Sequence, residues 1–194
     1  VDTGSSRLSR VHETRVEMDT EAVDADLDTI RSDGRITDVV IVSATDAVDS
    51  LFRIRRIVRA LEKMPHVNAL RLRSLKFNYE PESYSPEVID KLASLNKLTM
   101  INPLRLEIET QFLVADEFQP VHIRLVRLLN NKGITVYNNT PLLGRINDTP
   151  DAIHDLAYGC RKAGIEFHNL YVAGLPIQNH WNTKNPVALY DVVD

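Results

Sequence analysis

The chain has 194 residues, 43% of them hydrophobic, enough to bury one sizeable core, so a single domain spanning 1–194 is expected. Its formal net charge is −4, and no segment concentrates Lys and Arg with interleaved aromatics, which argues against nucleic acid as a partner. No apolar run approaches the ~20 residues of a membrane span, and the opening residues lack the apolar stretch of a secretory signal.

Residues 1–18 are polar and charged and read as an irregular lead-in. Thr20 is placed to cap a helix whose Val23, Leu27 and Ile30 form an apolar stripe, and Asp33-Gly34 ends it. A strand follows over Asp38–Ser43. The helix Asp46–Lys63 comes next, with Leu51, Ile54, Val58 and Leu61 turned inward and Met64-Pro65-His66 as its close. A strand over Asn68–Ser74 leads through a Pro-bearing loop to a helix over Pro86–Leu95. The pattern repeats with a strand at Leu104–Phe112 and a helix at Pro120–Asn131, in which Ile123, Val126 and Leu129 face inward. It repeats again with a strand at Ile134–Thr140 and a helix running from Pro150 to Lys162-Ala163-Gly164. A last strand covers Ile165–Val172, and Asn185–Asp194 reads as helical. Alternating strands and helices of this spacing imply βα units around a parallel sheet. The start at Val1, without an initiator Met, is what a fragment of a longer protein would show.

The strands carry an unusual signal. In Leu104-Arg105-Leu106-Glu107-Ile108-Glu109 apolar and charged residues alternate strictly, and Leu70-Arg71-Leu72-Arg73 does the same. If the leucines and Ile108 face the helices, two arginines stand opposite two glutamates on the other face. Four charges are costly to bury dry unless paired. A wide, wet, partly open barrel accommodates them, and a solvent-facing sheet edge is the competing reading. Ligands of βα proteins bind at the C-terminal ends of the strands. Here those ends are Ser43–Asp46, Ser74–Lys76, Thr110–Phe112, Asn138–Thr140 and Tyr171–Gly174, rich in Ser, Thr, Asn and Gln. That suits hydrogen bonding to a small polar metabolite.

Other constellations are sparse. Gly-x-Gly-x-x-Gly, a phosphate loop and a Gly-x-Ser-x-Gly elbow are all missing from the sequence. His66, His122, His154, His168 and His180 have no metal-ligand spacing, although His168 and His180 flank the expected cavity. Asp46 and Asp148 are placed to cap helices. The one cysteine, Cys160, falls on an apolar helical stripe and reads as core. A lone cysteine excludes an internal disulfide and fits a reducing cytoplasm.

Several local patterns resemble the radical-SAM core of the lysine 2,3-aminomutase family, which includes the glutamate 2,3-aminomutases. Val42-Ser43-Ala44-Thr45-Asp46 sits where that family has a Ser-Gly-Gly-Asp turn. Met64-Pro65-His66-Val67 is similar to its Ile-Pro-His-Val, and Leu70-Arg71-Leu72-Arg73-Ser74 to its Val-Arg-Ile-Gly-Ser. Thr110-Gln111-Phe112 resembles Thr-His-Phe, and Asp116-Glu117 the Asn-Glu that follows. The longest match is Tyr137 to Asp148, similar to Gly-Asn-Gln-Ser-Val-Leu-Leu, two further residues and Val-Asn-Asp. His180-Trp181 resembles a His-Phe pair.

The resemblance implies an α/β fold, a partial (βα)6 TIM-like barrel of radical-SAM type with a parallel sheet. It also implies S-adenosylmethionine, a [4Fe–4S] cluster and pyridoxal phosphate, serving an amino-acid isomerase. The cluster does not carry over. The family motif Cys-x3-Cys-x2-Cys would fall on Gly4, Leu8 and Val11 in one register, or on Asp2, Ser6 and Ser9 in another, and none supplies a thiolate. Ala44-Thr45 replaces the two glycines of the methionine-binding turn, an Asp of the lysine enzymes falls near Ala173, and the pyridoxal lysine falls past Asp194.

Strand ends and resemblance together assign a cofactor cavity to Ser43, Asp46, Arg71, Ser74, Gln111, Asn138 and Asn139, with S-adenosylmethionine the cofactor these residues could contact. No catalytic residue and no metal ligand is assigned. Two readings stand: an aminomutase-like domain without cluster-dependent activity, and a catalytically degenerate barrel that binds S-adenosylmethionine or another polar metabolite or serves as a subunit, a homo-oligomer being left open.

Overall fold

A computed structural model of the chain describes residues 8–12, 14–21, 23–97 and 103–172. Its centre is a seven-stranded sheet with the strands in sequence order: β1 (Ser9–His12), β2 (Arg15–Asp19), β3 (Asp38–Val42), β4 (Ala69–Arg73), β5 (Arg105–Thr110), β6 (Thr135–Leu142) and β7 (Glu166–Val172). β1 runs antiparallel to β2 at the edge, and β2 to β7 are all parallel. The six parallel strands curl far enough for side chains of β2 and β7 to touch across the concave face. The expected partial barrel of six parallel strands is thus present as a half-barrel.

The helices lie on the convex side. They are α1 (Val23–Ser32), α2 (Leu51–Leu61), the short α3 (Lys76–Tyr79), α4 (Pro86–Leu95), α5 (Pro120–Asn130) and α6 (Pro150–Ala163). Proline stands at the start of α4, α5 and α6, where its missing N–H costs nothing and its fixed φ suits the first turn. Gly164 ends α6 at a φ of 81°, a left-handed position that an L side chain resists. Ile54, Ile57, Val58 and Leu61 of α2 pack with Leu70, Leu72, Leu106, Ile108 and Val136 of the sheet in one continuous core. Among the described residues no helix is long and apolar enough to cross a membrane.

Three expectations need correction. The lead-in is not irregular throughout: Arg15–Asp19 is a strand whose Val16 and Met18 are 2% and 1% exposed. Its period of two is short and flanked by charges, so it hides in a polar segment. The helix expected from Asp46 begins as a 3-10 turn over Ala47–Ser50, capped by Asp46, before α2 proper. The first helix begins at Val23, which leaves Thr20 outside its first turn. Gly4, Ala173, His180-Trp181 and 185–194 lie outside the described residues.

His122 joins the start of α5 to α3. Its Nδ1 accepts from the Gln119 N–H at 3.0 Å, and its Nε2 lies 3.0 Å from the Asn78 carbonyl oxygen, to which it must donate. The ring stacks against Phe77 and meets Phe112 edge-on. Both ring nitrogens are committed only in the neutral form. Burial holds its pKa below the usual 6.5, against the opposing pull of the Asn78 hydrogen bond and Glu117. The unfolded chain therefore binds more protons between the folded value and 6.5, and stability falls as pH drops through that window. Denaturant unfolding is expected to show this loss between about pH 7.5 and about pH 5.5, and His122→Gln to flatten the part of the slope it causes.

Candidate functional site

The register of the parallel strands decides what lines the half-barrel. Arg71 pairs with Glu107 and Arg73 with Glu109 along β4 and β5, while Leu70 and Leu72 alternate onto the helical side with Leu106 and Ile108. On β6 Tyr137 and Asn139 share the concave face, and Glu17 joins them from β2.

These groups form one network. Arg71 Nε and Nη2 donate to Glu107 Oε2 at 3.0 and 2.8 Å, and its Nη1 lies 3.7 Å from Glu109 Oε2. The same guanidinium sits 4.2 Å above the Tyr137 ring. Arg73 donates through Nε to Glu109 Oε1 at 2.6 Å and through Nη2 to Glu17 Oε1 at 2.5 Å. Asn139 Nδ2 reaches Glu109 Oε1 at 3.3 Å. Burial works against the Arg73 charge, but Glu109 and Glu17 outweigh it and raise its pKa. Burial, then Glu107, raises the Tyr137 phenol.

Arg71, Glu107 and Glu109 are 4%, 4% and 2% exposed, so the solvent-facing reading of this face does not hold. Neither does a wide, wet lumen at this level, because the charges contact one another. Where the resembled pattern has glycine, Arg73 fills the space with a guanidinium. Two polar atoms beside Glu109 have no hydrogen-bond partner in the structure: Arg71 Nη1 and Asn139 Oδ1.

The other assigned residues are tied to backbone or neighbouring side chains, Ser43, Asp46, Ser74 and Gln111 just past strand ends and Asn138 within β6. Asp46 accepts from the Val48 N–H and, through its second oxygen, from the Lys76 N–H, both at 3.0 Å, linking two loops. Ser74 Oγ accepts from the Phe77 N–H, and Ser43 Oγ lies 3.3 Å from Ser50 Oγ. Asn138 pairs with the backbone of Phe112 in both directions, at 2.7 and 3.0 Å, extending the β5–β6 ladder by a side chain. Gln111 Nε2 meets the Tyr171 hydroxyl at 3.3 Å. The structure thus brings Arg71 and Asn139 together in the lumen and leaves the others apart from them, Asn138 on the opposite face of β6. Glu17, Arg15 and Tyr137 belong to the same lining and were not singled out by sequence. The first two sit in the segment read as loop, and Tyr137 shows its role only through its contact with Arg71.

The residues do not fit an iron–sulfur cluster. The only thiol, Cys160, is buried in α6 on the helical side, and burial pushes it up to about 12, far from the thiolate a cluster needs. Among the described residues no three of His, Cys, Asp and Glu gather as a metal site. The segment matched most closely to the family is held by Asn147, which accepts from the Leu143 N–H at 2.7 Å and donates to the carbonyls of Leu113 and Pro141.

No family model matches the chain. An L-lysine 2,3-aminomutase from Acetoanaerobium sticklandii is 23% identical over 172 residues, 88% of this chain and 39% of that protein. An L-lysine 2,3-aminomutase from Clostridium subterminale is 24% identical over 160 residues, 82% and 36% respectively. The chain spans about two fifths of the length of these relatives. The matches support a distant relationship to the lysine 2,3-aminomutases.

Removing one partner of a buried pair leaves an uncompensated charge, so Arg71→Met is expected to lower stability by about 3–5 kcal/mol, read from urea unfolding. Arg71→Met combined with Glu107→Leu should recover a large part of that loss, since both charges leave together.

Proposed function

We propose that this chain is a radical-SAM aminomutase-like half-barrel without cluster-dependent activity of its own. Ancestry is supported by two matches across most of its length to lysine 2,3-aminomutases. The observation that carries the loss of redox chemistry is the burial of its only thiol in α6. One cysteine supplies at most one of the three thiolates that such a cluster needs. A radical step of the kind the resemblance implies therefore has no seat on these residues, and the role proposed for the barrel is binding.

The binding role is favoured by the two unmatched atoms in the lumen. Arg71 Nη1 offers a donor and Asn139 Oδ1 an acceptor, both beside Glu109. Buried polar atoms of this kind are usually satisfied by water or a ligand. A small polar metabolite presenting an acceptor to the arginine and a donor to the amide meets both, and S-adenosylmethionine or an amino acid carries such groups.

Anaerobic reconstitution with iron and sulfide is expected to give iron far below four per chain and no cluster absorption band. A stoichiometric cluster that responds to S-adenosylmethionine would overturn the proposal. In calorimetric titration with S-adenosylmethionine and with amino acids, any binding found should weaken by about tenfold in Asn139→Ala, the loss of one buried hydrogen bond.

A further inference from the structure

β7 carries a bulge. Asn138 of β6 pairs with Phe167 and Asn139 with Asn169, so His168 is the inserted residue. A bulge bends the strand and re-aims the extra side chain. Here it turns the His168 ring towards the concave face, edge-on to Tyr137 at 5.3 Å between centroids. The ring then meets Arg15, at the start of β2, with Nη1 to Nε2 at 3.1 Å. Among the described residues, β2 and β7 are the first and last of the parallel strands and share no ladder with each other.

A guanidinium only donates, so His168 Nε2 must be the bare nitrogen of a neutral ring with its proton on Nδ1. We infer that the Arg15–His168 hydrogen bond is a proton-released clasp that holds β2 against β7 across the half-barrel. A second proton on the ring removes the only acceptor and sets two cations about 3 Å apart. Strand ladders then connect β2 to β7 only through the intervening four strands, and the two flanks separate over the lumen.

The surroundings reinforce the direction. Arg15 faces the ring from β2, Asp38 from β3, Arg71 from β4, Glu109 from β5 and Tyr137 from β6. Burial, then Arg71 and Arg15, hold the imidazole below its usual 6.5; Glu109 and Asp38 pull the other way and do not prevail. The clasp is therefore intact at neutral pH and released as pH falls below 6.5.

The full chain, labelled with 15N, is followed by histidine side-chain NMR and by amide hydrogen exchange. His168 is expected as the Nδ1–H tautomer near pH 7.5, with a titration midpoint below 6.5. Exchange in β2 and β7, corrected for intrinsic pH dependence, should accelerate by about tenfold over that in β4 as pH drops to about 5. His168→Gln keeps an acceptor for Arg15 and cannot titrate, so it should abolish the difference. An Nε2–H tautomer, a midpoint at or above 6.5, or the same acceleration in His168→Gln overturns the clasp. If that variant does not fold, the tautomer and midpoint of the unaltered chain decide.

Discussion

Glu109 sits at the centre of the half-barrel, and the lumen is organised around its carboxylate. Arg73 donates to one oxygen together with Asn139, and Arg71 approaches the other. Its backbone carbonyl receives the Ser74 N–H. Through these contacts one side chain, 2% exposed, ties β4 to β5 and β6, and Arg73 carries the tie on to β2. Desolvating five charged groups is expensive, and well-packed apolar residues would often be as stable. What the network does enforce is register. A slip of one residue would turn Arg71 and Arg73 into the apolar layer beneath the helices and bring Leu70 and Leu72 among the carboxylates.

A second group of polar side chains acts on backbone. Asn138 completes a ladder, Asp46 bridges two loops, Asn147 folds the segment after β6, and His122 joins α5 to the turn at Asn78. Several of these lie in the stretches that most resemble the aminomutases. Each of these side chains holds backbone in place, whatever chemistry the surrounding loops serve. A motif match of this kind speaks first about how loops are built and only then about what is catalysed.

Much of this was legible in the residues. The alternation in 104–109 and 69–73 fixed which faces carried charge, because the side-chain period of a strand admits one solution. The prolines at 86, 120 and 150 marked three helix starts through their own stereochemistry. What stayed hidden depends on long-range approach. Glu17 reaches Arg73 from 56 residues away, and Arg15 reaches His168 from 153. Local pattern cannot show that two loop-like or bulged positions meet on one concave surface, nor that charges expected to be wet would satisfy each other.

The antiparallel β1 has a topological effect. Its ladder to β2, with Ser9 opposite Glu17 and Arg10 opposite Val16, occupies the outward edge of the first parallel strand. No further strand can add there in the parallel sense that a closed (βα)8 ring demands. The curvature of this sheet is thereby terminated on one flank by its own chain. Duplication or fusion of such a unit could not grow into a complete barrel from that side without first displacing β1.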